Sequence, residues 1–121
     1  MPTKLESLIG ENLLSVFGER DAKKRRGVID RIRASDGVFI DPYGAHVGHA
    51  DLDKAVEQIL QKYPDWVFTE RGPIQAFHKI GRLPWNFRPP GAAPVVTGLD
   101  VVVTANDKIA ALYTFLDATE G

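Results

Sequence analysis

Residues 41–53 read DPYGAHVGHADLD and bring three aspartates and two histidines into one short span. Such a set serves a metal site, one half of an acid–base pair, or a turn followed by a helix start. A further carboxylate, Asp100, stands in VVTGLDVVVTA among β-branched residues. A strand there points Asp100 to the same face as Val102. A buried carboxylate needs hydrogen bonds, a proton or a cavity to offset its desolvation. The plainer alternative is an aspartate that pins a neighbouring loop or meets water at a strand bulge.

A metal site needs about three converging ligands held by supporting hydrogen bonds. His46 and His49 are three apart, but Gly48 and the turn before it work against one shared helical face. No metal and no cofactor is expected. Asp51 and Asp53 are accounted for as first-turn carboxylates favoured by a helix dipole, and His49 as a capping or solvent-facing residue. DPYG suits a type I turn, with Asp first, Pro second and Gly fourth. That explains Asp41 without chemistry, yet a turn directly after a strand also lets the carboxylate project over the mouth of a sheet, with His46 beside it. The stretch thus reads as a turn and a helix start carrying one candidate base. His78, in QAFHKI, is either a pocket residue or a satisfied strand histidine.

The elements that must position these groups follow from periodicity. Leu5, Leu8, Ile9, Leu13, Val16 and Phe17 recur at steps of three and four and predict a first helix that Gly18 can end. Asp21 is a candidate N-cap for a second helix with Val28, Ile29 and Ile32 inward. GVFID predicts a short strand that DPYG breaks. A third helix opens near Asp51, turns Leu52, Val56, Ile59, Leu60 and Tyr63 inward, and stops at Pro64. The remainder, DWVFTERG, IQAFHKI, RLPWNF, APVVTGLDVVVTA and IAALYTFL, reads as strands separated by turn signals. Helices followed by antiparallel strands predict an α+β arrangement, one domain over residues 1–121. In RLPWNF one face receives Leu83, Trp85 and Phe87. In PVVTGLDVVVT both faces are largely apolar, so both should be covered. Helices can cover only one, which predicts a homodimer through the sheet.

A formal net charge of −1 gives no bulk attraction to nucleic acid or an anionic membrane. The run KKRR at 23–26 is diluted by Glu19, Asp21 and Asp30 and reads as a solvated helix face. The absence of cysteine excludes disulfides and thiol chemistry and suits a reducing cytoplasm. The N-terminal twenty residues lack an unbroken apolar run, so neither a signal peptide nor a membrane span is expected there.

The order of elements, with VFIDPYG closing the first strand, HVGHADL opening the third helix and VVTGLDVVVTANDKIAAL near the end, resembles the nuclear transport factor 2-like superfamily. More narrowly, it resembles the SnoaL-like and ketosteroid isomerase branches. The resemblance implies a cone-shaped, cystatin-like α+β fold, with N-terminal helices packed on a strongly curved, mostly antiparallel sheet. It places Asp41 at the general base of the isomerases and Asp100 at their protonated oxyanion donor, the pKa splitting for which ketosteroid isomerase is known. It implies a small hydrophobic ligand, for which Phe39, Leu83, Trp85 and Phe87 are candidate apolar lining and Tyr43, His46, His78 and Tyr113 further candidate contacts. The isomerases also place a first-helix tyrosine beside the protonated aspartate. Leu13 or Leu14 falls there in this chain, which leaves Trp85 or Tyr113 as substitute donors. Two functions follow: acid–base isomerisation or cyclisation of an enolisable hydrophobic ketone, or non-catalytic binding of a small apolar ligand.

Overall fold

Thr3 starts the first helix through a capping box. Its hydroxyl accepts the Glu6 N–H at 3.1 Å and the Glu6 carboxylate accepts the Thr3 N–H at 2.8 Å. The computed structural model describes residues 3–117. The first helix, α1 (Lys4–Glu11), runs on into a π-helical segment, Asn12–Phe17, and ends at Gly18. Its predicted stripe is buried at Leu8, Ile9, Leu13, Val16 and Phe17.

Asp21 caps α2 (Ala22–Ile32) by accepting from the backbone of Lys23 and Lys24 at 2.9 and 3.1 Å. The expectation of a wholly solvated KKRR face is corrected at Arg25, which is fully buried. It shares the inward face of Ile29 and Ile32. Asp53 and Glu57 of the third helix receive its guanidinium at 2.7 and 2.6 Å.

Strand β1 (Arg33–Asp41) starts earlier than GVFID and carries an irregularity between Arg33 and Val38. After the Asp41 turn the chain doubles back as β2 (Gly44–Val47), a short strand the sequence reading did not separate from the helix start. Helix α3 (His49–Lys62) follows Gly48, whose φ of 87° a side chain would strain. Leu52, Ala55, Val56 and Leu60 are its buried face.

The remaining strands are β3 (Val67–Glu70), β4 (Gln75–Phe77), β5 (Ile80–Arg88), β6 (Val96–Ala105) and β7 (Lys108–Leu116). Asn106 and Asp107, both at positive φ, turn β6 into β7, as residues tolerant of the left-handed region do in tight hairpins. The sheet order is β2-β1-β7-β6-β5-β3, with β4 also paired to β5. Every pairing is antiparallel except β1 with β7. The α+β class thus holds. The helices pack on one sheet face around Phe39, Leu83, Val102, Ile109 and Leu112.

Candidate active site

Between the helices and the inner face of the sheet lies a cavity of about 480 Å³. Leu13 and Phe17 of the first helix, Ala55 and Ile59 of α3, and Phe68, Phe87, Val96 and Leu116 of the sheet give it apolar walls. Phe87 stacks on Phe68 with ring centroids 4.1 Å apart. Asp41, Tyr43, His46, Gln58 and Lys62 bring polar groups from the β1–β2 hairpin and α3. Tyr43 is 84% exposed, which marks this side as the mouth.

Asp100 lines the cavity and is only 4% exposed. Its Oδ1 accepts two hydrogen bonds, from the Trp85 indole N–H at 3.0 Å and the Thr114 hydroxyl at 2.8 Å. No described residue bonds to Oδ2, which leaves it as the oxygen open to the cavity. Burial pushes the Asp100 carboxyl up to about 6, against the two hydrogen bonds and the positive field of Arg33, which pull it down. With Oδ1 occupied by donors, a proton on Asp100 belongs on Oδ2 and points at the ligand space.

The glycine two residues before Asp100 has a steric cause. Gly98 sits opposite Trp85 in the β5–β6 register. A Cβ at Gly98 would overlap the indole and stand 2.7 Å from the Phe115 carbonyl oxygen. Glycine therefore gives the indole the room from which its N–H reaches Asp100.

Arg33 is the other buried charge near the site, 2% exposed. Its Nη2 donates to the Val38 carbonyl at 3.1 Å and its Nη1 lies 3.4 Å from Asn12 Oδ1. Burial lowers its pKa to about 10, opposed by the nearby Asp100 charge, so it stays cationic at neutral pH.

Asp41 keeps its turn role and a place in the cavity together. Its Oδ1 accepts the backbone N–H of Tyr43 and Gly44 at 2.9 and 3.1 Å, and its half-buried side chain lines the same cavity as Asp100. Phe39, Tyr43, Trp85 and Phe87 are there too, with His46 stacked on Phe39 at 5.5 Å. His49 turns away, its ring nitrogens at 3.0 Å from Asp30 Oδ1 and 2.9 Å from the Arg33 carbonyl, so the two histidines do not converge.

Three expected lining residues lie elsewhere. Leu83 is fully buried in the core rather than on the cavity wall. His78 occupies the β4–β5 turn at φ 53°, exposed, beside a separate surface depression at the start of α1. Tyr113 is on the outer face because Leu112 and Thr114 take the inner positions of β7. Neither substitute donor is therefore free: Tyr113 faces away and the Trp85 N–H is spent on Asp100. Leu13 occupies the cavity wall on the first helix, while Leu14 is 47% exposed.

The sequence reading missed Thr114, Arg33, Phe68, Gln58 and Lys62. Lys62 and Gln58 were legible in principle, being four apart on a helix whose inner face was assigned.

No protein-family model matches the chain, and no curated protein matches it. Solved structures do. A SnoaL-like family protein from Agrobacterium tumefaciens, provisionally named an isomerase, is similar at a TM-score of 0.87 and 24% identity, over 96% of this chain and 100% of that one. A Kribbella flavida protein provisionally named a ketosteroid isomerase gives a TM-score of 0.73 at 15% identity, covering 98% and 81%. A Sinorhizobium meliloti protein provisionally named a polyketide cyclase gives 0.70 at 16% identity, covering 94% of each. The fold is that of the nuclear transport factor 2-like proteins, also described as cystatin-like. At such identities the likeness speaks for architecture, and chemistry has to come from the site.

Proposed function

We propose that the cavity takes up a small, hydrophobic, enolisable ketone and catalyses its isomerisation or cyclisation by proton transfer. Asp100 is the acid, presenting a proton on Oδ2 to the carbonyl oxygen. Asp41 is the base, removing a proton from the carbon beside that carbonyl. The observation that carries this reading is the environment of Asp100: one oxygen held by two donors, the other open to an apolar cavity, and a pKa of about 6. A group titrating near neutrality suits reversible proton transfer. The names of the structural neighbours, isomerases and a polyketide cyclase, agree with this class of chemistry.

Solvent-deuterium uptake by NMR tests it. A panel of cyclic and polycyclic ketones incubated with the protein should show exchange at the carbon beside the carbonyl, lost in Asp41→Asn. Broad absence of exchange with retained line broadening would replace catalysis by binding.

The second reading, non-catalytic binding of an apolar ligand, has one specific observation in its favour. Leu13 and Phe17 line the cavity from the first helix and present no hydroxyl there, so that helix gives Asp100 no companion donor toward a carbonyl oxygen. Loss of one oxyanion donor costs about 10²–10³ in rate.

The active form we propose is a homodimer. The outer sheet face aligns Ile40, Tyr113 and Val101 in one cross-strand row, with Leu99 and Phe115 in the next. Phe115 is 59% exposed and Ile40 40%, an apolar surface of the kind that a second copy covers. No described helix is long and apolar enough to cross a membrane. A cysteine-free chain of this kind we place in the cytoplasm.

A further inference from the structure

We propose that the ligand carries an anionic group, a carboxylate at its simplest, which Lys62 and Gln58 receive at the mouth of the cavity; this rests on the ketone-binding reading above.

The polar groups of the cavity are segregated. Asp100, Thr114 and Trp85 form one polar point among apolar walls, and the remaining polar side chains gather on the hairpin and on α3. Of the lining residues only Lys62 is a lysine or arginine. Arg25, Arg26, Arg31 and Arg71 each reach a carboxylate, and no lysine does among the described residues, so it is the place of Lys62 in the cavity lining that sets it apart. Lys62 reaches none among the described residues, and its ammonium lies 5.5 Å from the centre of the Tyr63 ring, itself a cavity wall. A cation in the last helical turn also suits the helix dipole. That leaves unexplained why its side chain lines the cavity beside Gln58, one turn earlier on the same helical face.

Together the two supply one charged and one neutral donor at the entrance. Asp41 places a negative charge on the hairpin side of the same mouth, so an anion is steered to α3. A ligand spanning the cavity would set its ketone at Asp100 and its anionic end at Lys62. That fixes which end enters first.

Three probes separate the possibilities: α-tetralone, an α-tetralone carboxylic acid, and the methyl ester of that acid, with affinities measured by calorimetry at low and high salt. The acid should bind roughly three- to tenfold more tightly than its ester, the range between an exposed ion pair and a partly shielded one. This preference should shrink at high salt. Lys62→Gln should abolish the acid-to-ester ratio, and Lys62→Glu should invert it. Lys54→Gln, the same charge change on an exposed α3 residue outside the cavity, should keep it. Equal binding of acid and ester, or a ratio that survives Lys62→Gln or collapses in Lys54→Gln, overturns the inference while leaving the ketone-binding cavity standing. Failure of all three probes to bind removes the cavity reading and this inference with it.

Discussion

The indole N–H of Trp85 donates to Oδ1 of Asp100 at 3.0 Å across the β5–β6 pair, and both side chains are buried. That bond, with the Thr114 hydroxyl, holds the carboxyl in one orientation and commits its second oxygen to the cavity. It also eases ionisation, yet burial still outweighs both bonds and the Arg33 field, and the group titrates near 6.

Asp100→Asn isolates this balance. The native state holds a proton on Asp100 up to about pH 6, whereas the ordinary value is 3.8. Between these values the folded protein binds more protons than the unfolded chain, so Asp100 makes stability fall as pH rises from about 4 to 6 and level off above. The full span is worth roughly 3 kcal/mol at 1.36 kcal/mol per unit. Asparagine keeps an acceptor for Trp85 and Thr114 without the charge. Denaturant midpoints at pH 4.5 and 8 should therefore converge relative to the parent, with the variant the more stable at pH 8. Any activity that needs the Oδ2 proton should decline in the parent as pH rises through 6, and that inflection should be missing in the variant.

Gly98→Ala tests whether the indole position matters. The added methyl meets the Trp85 ring and, at 2.7 Å, the Phe115 carbonyl oxygen, neither of which is a flexible chain end. The cost should be about 1–3 kcal/mol. A displaced indole stops donating to Asp100, so the Asp100 titration followed by carboxyl NMR should move above 6. A destabilised variant with an unmoved titration would show that the ring yields without losing its hydrogen bond.

Most of the frame was legible because its signals are local: the α1 stripe, the Asp21 cap, the DPYG turn and the alternation of Leu83, Trp85 and Phe87. The errors come from features that are not local. Extending the β6–β7 hairpin from Ala105 opposite Lys108 without interruption pairs Asp100 with Tyr113. The observed register slips by one between Val103 and Thr104, so Thr114 faces Asp100 and Tyr113 is turned outward. Arg25 and Arg33 escaped notice because a charged residue at an inward position is read as surface until its partners are in place, the α3 carboxylates for Arg25 and the neutral Val38 carbonyl and Asn12 amide oxygens for Arg33.

Arg33→Met removes a positive field from Asp100 without touching its hydrogen bonds. Since that field lowers the Asp100 pKa, the titration should shift upward and the pH window of the protonated acid should widen. Carboxyl NMR on the folded variant reads this directly. An unchanged midpoint would confine Arg33 to holding the Val38 carbonyl.

Asp41→Asn separates turn from base. Asparagine can accept the Tyr43 and Gly44 N–H bonds as aspartate does, so the unfolding midpoint should stay within about 0.5 kcal/mol of the parent. Deuterium uptake should nevertheless fall by about 10² or more if the carboxylate takes the substrate proton. Retained uptake would assign Asp41 to the turn alone.

Phe115→Glu addresses the outer face. Phe115 is 59% exposed in the single chain, so glutamate there costs the monomer fold little. Buried between two copies, the same carboxylate would lose its solvation without a partner and cost several kcal/mol. Sedimentation velocity should then show a parent dimer and a monomeric variant with an unchanged far-UV spectrum. Because the cavity opens on the helix side of the sheet, the monomer should still bind ketones, which would separate assembly from ligand recognition; a parent that sediments as a monomer would remove the dimer from the proposal and leave the cavity chemistry as it stands.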